Sequence, residues 1–153
     1  MNRKGIVAAA FAIAVSTAFG ASILSPLQVL QATPPGEVHW LVRLYDQSHS
    51  PIGTLRLRVT SERGRSCLGG LGDRGFLIKI DRKDGLPKDF RISNTPVAFF
   101  DGKKVVVDLT GGTCDDYRLL DGNLSNDGGV LGEIRATGLG FAQVVGRFSA
   151  TLQ

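Results

Sequence analysis

The sequence has little of the chemistry from which metal sites and nucleophilic enzymes are built. It contains only two cysteines and two histidines among its 153 residues. His39 lies in an alternating segment and His49 in the stretch DQSHSP, so the two histidines share no spacing typical of metal ligands. Serines flank His49, but no acidic residue of clear geometry orients its imidazole for catalysis. We therefore expect no metal, no cofactor and no catalytic residue, and we predict that the protein is not an enzyme.

Amphipathic helices are also missing from the sequence. After the amino-terminal segment, no stretch carries apolar residues at helical spacing over a useful length. Apolar and polar residues instead alternate at period two, in short segments that are separated by clusters of Gly, Asp, Asn and Pro. This pattern predicts an all-β fold.

The one long apolar run lies at the amino terminus. Basic residues precede the apolar residues 6–15, and small residues follow them, which is the order of a secretory signal. We predict a signal peptide over residues 1–20 with cleavage after Gly20; cleavage after Ser22 and retention of the segment as a membrane anchor are the alternatives. No cysteine follows the run, so a lipid anchor is not expected. The predicted location is the periplasm or the extracellular space.

Residues 21–36 include three prolines and no apolar periodicity, which predicts an extended tether leading into one domain over residues 37–153. Loss of Arg3 and Lys4 with the signal lowers the basic count of 18 by two, against 14 acidic residues. The remaining charge is too small to predict nucleic-acid binding. A chain with a cleaved signal also has no stable membrane anchor.

Both cysteines lie in glycine-rich stretches, Cys67 in RSCLGGLG and Cys114 in GGTCDDYRLLDG. Two cysteines in an exported chain most often pair with each other, and glycine gives the backbone freedom for their Cβ atoms to meet. Asp115 and Asp116 disfavour the thiolate form of Cys114, the reactive form. We predict a structural disulfide that closes a loop of about 48 residues and stabilises the fold by about 4 kcal/mol. A free thiol and an intermolecular disulfide are the alternatives.

The alternating segments predict eight short strands, and the strongest turn signal is Asp101-Gly102, between PVAFF and KKVVVDL. A slightly longer connection runs from Lys83 to Asn94. Strands in this order predict an antiparallel up-and-down barrel, because closure removes exposed strand edges; a two-sheet sandwich is the alternative. The residues predicted to face the interior are Val38, Trp40, Val42, Leu55, Leu57, Val59, Ile78, Ile80, Val105, Val107 and Phe148.

Two polar stretches between the strands are interpreted as connections rather than sites. In DGNLSNDGG, oxygen-bearing side chains run from Asp121 to Asp127, but a calcium-binding EF-hand loop would need glycine where Asn126 stands and glutamate where Gly132 stands. This stretch is typical of a hairpin loop. DRKDGLPKD, from Asp81, predicts a charged loop in solvent.

The segment GEVHW places Trp40 early in the first strand. With this tryptophan, the strand rhythm and the length, residues 36–153 resemble the calycin-type small barrels: lipocalins, avidin-like proteins and the small bacterial barrels that inhibit secreted proteases. The resemblance implies the barrel architecture. It assigns no binding residue, because the glycine-to-tryptophan spacing differs from the lipocalin Gly-x-Trp, and Arg147 has the opposite parity to the inward-facing Phe148.

Arginines follow the predicted outer surface of the first two strands. Like charges on paired strands are mildly unfavourable, so the cluster indicates acidic neighbours or an acidic partner. The alternative is a solvated outer surface that protects the sheet from aggregation. The candidate binding face consists of Arg43, Arg56, Arg58, Arg63 and Arg65.

The predicted interior is bulky, and an eight-stranded barrel with such an interior is filled by its own side chains. We therefore predict a secreted or periplasmic, non-enzymatic binding module that acts through its loops or basic outer face. Its partner would be an envelope or secreted protein, including an enzyme that it inhibits, or an anionic envelope polymer. The alternative is a lipocalin-like carrier of a small apolar ligand. The large interior residues are Trp40, Phe76, Phe148 and one of Phe99 and Phe100, and the small ones are Gly132, Ala136 and Ala150.

Overall fold

The structure is a computed structural model that describes residues 38–68, 75–112, 116–138 and 141–153. The predicted signal peptide and tether, Glu37 and Cys114 lie outside the described residues. The strands are β1 (Val38–Asp46), β2 (Pro51–Gly64), β3 (Gly75–Asp84), β4 (Val97–Asp101), β5 (Lys104–Asp108), β6 (Arg118–Leu124), β7 (Val130–Gly138) and β8 (Phe141–Leu152).

Each strand pairs antiparallel with the next along the chain, and β8 pairs with β1 to close the barrel. The closing contacts run from Trp40, opposite Leu152, to Asp46, opposite Gly146. The prediction of an eight-stranded up-and-down barrel is therefore confirmed, and the sandwich alternative is wrong. No helix in the described ranges is long and apolar enough to cross a membrane.

The β4–β5 hairpin turns close to the predicted position. Asp101 pairs with Lys104, so Gly102 and Lys103 form the two-residue turn between them. Gly102 has a φ of 58°, a conformation that glycine adopts without strain. The turn residues therefore lie one position later than Asp101-Gly102.

The charged stretch from Asp81 to Asp84 belongs to a strand. Arg82 and Asp84 lie opposite Arg56 and Thr54 of β2, which extends β3 to Asp84. The prediction that this stretch lies in a loop is wrong. The sequence does not reveal that β2 continues to pair with β3 as far as Asp84. The connection to β4 begins only at Gly85.

Side chains on the inner surface of the strands form one hydrophobic core cluster. All the residues predicted to face the interior belong to it, with Ile80 half-buried at its margin. Trp40, Leu55 and Leu57 are 2%, 0% and 1% exposed. Full burial of a side chain of this size contributes about 1.5–3 kcal/mol, so the alternating inner surface supplies the main driving force for closure.

Aromatic rings fill the barrel where neighbouring strands carry glycine. The Phe148 ring lies against Gly122 and Gly132, and a Cβ atom added at these glycines would come 2.8 and 2.7 Å from it. Trp40 packs on Phe100 with the ring centroids 6.0 Å apart. The interior thus combines large rings with glycines that leave room for them.

Candidate functional site

Basic side chains form rows across the outer surface of β1, β2 and β3. His39 lies opposite Arg58, and Arg58 lies opposite Lys79. In the next row, Arg56 lies opposite Arg82. Opposed residues in a sheet point to the same side, so these side chains share one surface.

We define the basic face as Arg43, Arg56, Arg58, Lys79 and Arg82. All five are exposed except Arg58, which is half-buried. The sequence predicted the outward direction of the three arginines on β1 and β2. It missed Lys79 and Arg82, because these residues join the cluster only through the register between β2 and β3.

A register shift in β3 brings Arg82 beside Arg56. Leu57 lies opposite Ile80 and Arg56 opposite Arg82, so that Asp81 is an additional residue in β3. Such a bulge redirects the local side chains. Without it, the parity of Arg82 would place this charge on the inner side of the sheet.

Two carboxylates partly neutralise the basic face. Asp81 lies 3.4 Å from the Arg58 guanidinium and 4.0 Å from the His39 ring. Asp84 lies 2.7 Å from the Arg82 guanidinium. All these side chains are more than one third exposed, so each ion pair contributes at most about 1 kcal/mol.

Three cations of the basic face are not neutralised. Within the described part of the chain, the side chains of Arg43, Arg56 and Lys79 make neither an ion pair nor a hydrogen bond. Their field extends over about 8–10 Å at physiological salt, which is farther than the spacing between neighbouring strands. The charges on adjacent strands, Arg43 with Arg56 and Arg56 with Lys79, therefore act together on an approaching ligand.

Two surface depressions border Asp81. One has a volume of about 420 Å³, lies between β3 and the segment before β4, and has Lys79 and Lys83 in its wall. The other has a volume of about 250 Å³ and lies beside His39 and Arg56. The basic face is thus concave on both sides of its central carboxylate.

The larger depression exists because β3 and β4 share only two opposed residue pairs. Beyond these pairs, residues 85–96 close the barrel wall mainly through side chains, with backbone hydrogen bonds of 2.8 Å from the Ile78 N–H to the Pro96 carbonyl oxygen and from the Ser93 N–H to the carbonyl oxygen of Leu109. Leu86, Phe90 and Ile92 are partly buried and pack against the core. A seam lined by polar groups remains between β3 and this segment.

The two other predicted members of the binding face lie toward the opposite end of β2. Arg63 follows a register shift in β2, and its guanidinium packs over the Phe76 ring at 4.0 Å from the centroid. Arg65 follows the end of β2 at Gly64. We therefore do not include Arg63 and Arg65 in the basic face.

Cys67 contacts residues that are close in sequence to Cys114. Its Sγ atom lies 3.3 Å from the carbonyl oxygen of Gly112. The Tyr117 hydroxyl donates a hydrogen bond of 3.4 Å to the carbonyl oxygen of Cys67. Cys114 itself is outside the described residues, so the disulfide stays a prediction.

The β1–β2 loop does not arrange its serines and histidine as a catalytic triad. Ser48 Oγ donates directly to Asp46 Oδ1 at 2.7 Å, and the Ser50 N–H donates to the same oxygen at 2.9 Å. His49 Nε2 instead lies 3.2 Å from the Arg147 guanidinium. A triad requires histidine between serine and acid, so these contacts stabilise the turn rather than activate a serine.

The hydrogen bonds from Ser48 and Ser50 lower the pKa of Asp46 below its ordinary value of 3.8. Because the folded-state pKa is lowered, the contribution of this carboxylate to stability is present above pH 3.8 and is lost as the pH falls through the folded-state pKa. We expect the Asp46 carboxyl carbon to titrate below 3.8 by NMR, and to move toward 3.8 in Ser48→Ala. An unchanged midpoint in that variant would contradict the assignment.

The stretch DGNLSNDGG forms the predicted β6–β7 hairpin. Asp121 lies in β6 and forms ion pairs with Lys104 and Arg135. Asp127 accepts a hydrogen bond from the Ser125 hydroxyl in the loop. Among the residues that the structure describes, no group of three or more His, Cys, Asp or Glu side chains is placed to hold a metal ion.

Comparison of the chain with protein-family models, with curated proteins and with solved structures finds no match. The function must therefore be inferred from the residues themselves. The basic face is the most distinctive arrangement of charge on the described surface.

Proposed function

We propose that the protein is a secreted or periplasmic, non-enzymatic binding module whose basic face binds an anionic macromolecule. One observation carries this proposal. Five cationic side chains share one surface of three neighbouring strands, and the carboxylates of Asp81 and Asp84 neutralise only part of their charge. Like charges in opposed positions cost roughly 0.2–1 kcal/mol per pair. An acidic partner offsets that cost on binding and is attracted over a distance.

The spread of the charges favours a macromolecule over a small anion. The cations lie on strands that are about 4.8 Å apart, so one small anion reaches only some of them. An acidic protein surface or an anionic envelope polymer contacts several at once. The two depressions beside Asp81 allow parts of such a partner to enter the face rather than lie flat on it.

Packing inside the barrel supports surface binding rather than carriage of a ligand. Trp40 and Phe148 are 2% and 4% exposed, and both lie in the core cluster with Phe100 against it. A ligand of drug-like size needs about 300–1,000 Å³ of space, which these rings would have to vacate. Among calycin-type barrels, the proposed function corresponds to the protein-binding inhibitors rather than to the lipocalins.

Neutralising part of the basic face is expected to weaken binding to a polyanion by about tenfold. The change is Arg56→Gln together with Lys79→Gln, whose side chains support no described ion pair or hydrogen bond. Two exposed charge contacts of up to about 1 kcal/mol each give an effect of this size, and salt should reduce it. The measurement is calorimetric titration with polyglutamate at several sodium chloride concentrations.

The matched control is Lys88→Gln together with Lys103→Gln, which removes the same charge from exposed side chains outside the basic face. This variant should bind nearly as the wild type does. Equal weakening in both variants would attribute binding to net charge alone and would refute the site. Saturable one-to-one uptake of a lipophilic probe, without polyglutamate binding, would instead make the protein a carrier.

A further inference from the structure

Pairing between β3 and β4 stops at a proline. Leu77 lies opposite Val97, the first residue of β4, and one more backbone hydrogen bond follows, from the Ile78 N–H to the Pro96 carbonyl oxygen. Proline has no N–H with which to return this bond to the Ile78 carbonyl oxygen. The edge of β3 is therefore without a neighbouring strand beyond this point.

The chain before Pro96 turns away from β3. The Ser93 N–H donates to the carbonyl oxygen of Leu109, which follows β5, and β5 lies on the side of β4 away from β3. The depression of about 420 Å³ opens between β3 and this part of the chain. We call this depression the β3 seam; one wall holds residues 78–81 and 83, and the other holds Ser93, Asn94 and Pro96.

Ile80 offers its backbone groups to the β3 seam. Backbone direction alternates along a strand, so Ile80 points to the same side as Ile78, whereas Lys79 points toward Arg58 of β2. The bulge at Asp81 comes only after Ile80. In the described part of the chain, no backbone hydrogen bond satisfies the Ile80 N–H or C=O on the side of the seam. Such groups on an open strand edge are a template for another strand.

The charge around the β3 seam favours an acidic occupant. Arg58, Lys79 and Lys83 line it, and Asp81 is the only carboxylate among the described residues that do so. Pairing with the same edge of a second copy would bring lysines close to one another, which is unfavourable. An acidic strand instead brings carboxylates to Lys79, whose charge is not neutralised within the described chain.

The two faces of β3 favour different side chains on an added strand. Lys79 is exposed on the outer surface, whereas Ile80 points inward and packs against the core. Opposed residues on neighbouring strands share a face of the sheet. A carboxylate therefore suits the position opposite Lys79, and an apolar side chain suits the position opposite Ile80. The matching segment alternates acidic and apolar residues.

We propose that the β3 seam binds an extended, acidic segment of a partner protein, which adds to the barrel as a strand antiparallel to β3. The segment lies along the line that β4 would follow if it began before Pro96. Its residue opposite Ile80 exchanges two backbone hydrogen bonds with Ile80, and the next carboxylate lies beside Lys79. This inference rests on the proposed function and deepens it, because backbone pairing selects a protein segment over other anionic polymers.

A peptide of alternating glutamate and valine tests the addition of a strand. The probe is a capped peptide of about six residues, the usual length of a strand. A second peptide carries N-methyl groups on its valines, which removes the N–H groups that face β3 when valine lies opposite Ile80 and leaves the charge unchanged. We expect the first peptide to bind in a nuclear magnetic resonance titration and the methylated peptide to bind about tenfold more weakly.

Amide hydrogen exchange shows where the peptide binds. Exchange of the Ile80 N–H should slow when the unmodified peptide is added, whereas the Lys79 N–H, which faces β2, should change little. Asn94→Trp narrows the β3 seam at an exposed position without changing the charge, and it should abolish the slowing at Ile80. The matched control is Asn126→Trp, at an exposed position in the β6–β7 loop, which should bind the peptide as the wild type does.

Inorganic polyphosphate separates this inference from the proposed function, because it carries negative charge without a peptide backbone. If the wild type binds polyphosphate and binds both peptides equally, strand addition is wrong and the proposed function stands. Binding of polyphosphate without either peptide would make the partner an anionic polymer and would also overturn the inference. Equal peptide binding by the Asn94→Trp and Asn126→Trp proteins would place the peptide outside the seam and refute it. A wild type that binds neither polyphosphate nor peptide would refute the proposed function as well.

Discussion

Replacement of Asp108 by alanine is expected to lower the free energy of unfolding by about 3 kcal/mol, and the thermal midpoint by about 10 °C. Asp108 is 0% exposed at the end of β5. Its Oδ1 atom accepts hydrogen bonds of 3.0 Å from the N–H groups of Thr110 and Gly111, and one of 2.8 Å from the Thr110 hydroxyl. Ser66 Oγ donates to Oδ2. Alanine would leave these donors buried without an acceptor. A buried donor without a partner costs its full desolvation penalty, which is larger than the net contribution of a hydrogen bond.

The Asp108 carboxylate also joins parts of the chain that are distant in sequence. Ser66 follows β2, whereas Thr110 and Gly111 follow β5. Gly111 lies against Thr95, so that an added Cβ atom would be 1.9 Å from the Thr95 carbonyl oxygen. Because the backbone is packed this closely, it has little room to move and offer the orphaned donors to water.

Asparagine at position 108 provides a graded control. Asparagine keeps one oxygen acceptor but loses the charge, so we expect the free energy of unfolding to fall by about 1–2 kcal/mol. Asp89→Ala removes an exposed carboxylate from the β3–β4 connection and should change the free energy by less than about 0.5 kcal/mol. Urea unfolding followed by the fluorescence of Trp40, the single tryptophan, measures all three variants. An Asp108→Ala protein as stable as Asp89→Ala would contradict this account.

The barrel interior was predictable because alternation is a local property of each strand. The face of the sheet to which Trp40 or Leu57 points does not depend on which strand lies alongside. Alternation could not decide whether Phe99 or Phe100 faces the interior, since both side chains are apolar. Phe100 packs against the core, whereas Phe99 is 4% exposed without joining the core cluster, and its ring lies close to Gly75.

The candidate site was predictable only in part, because it depends on relations between strands. Arg43, Arg56 and Arg58 followed from the parity of single strands. Lys79 faces outward because Ile78 and Ile80 face inward, but only the register with β2 places it beside Arg58. Arg82 reaches the same surface through the bulge at Asp81, which no local pattern reveals. β8 likewise begins five residues before its pairing with β1, a difference in length that the residues of β8 do not encode.

Removal of the predicted disulfide is expected to lower the free energy of unfolding by about 4 kcal/mol. The change is Cys67→Ser together with Cys114→Ser. The predicted bond closes a loop of about 48 residues that includes β3, β4 and β5, so without it the unfolded chain gains the entropy of an open loop. The distance of 3.3 Å between Cys67 Sγ and the Gly112 carbonyl oxygen supports the pairing, since Gly112 is only two residues from Cys114.

Reduction separates the effect of the bond from that of the side chains. A reductant should bring the thermal midpoint of the wild type down to that of the double serine variant and should leave the variant unchanged. Mass spectrometry of an unreduced digest should find the Cys67 and Cys114 peptides linked. Two reactive thiols in the untreated protein would refute the prediction. Since Ser66 is adjacent to Cys67, the hydrogen bonds of Asp108 would then hold this end of β2 without a covalent bond, and Asp108→Ala would be the more damaging change.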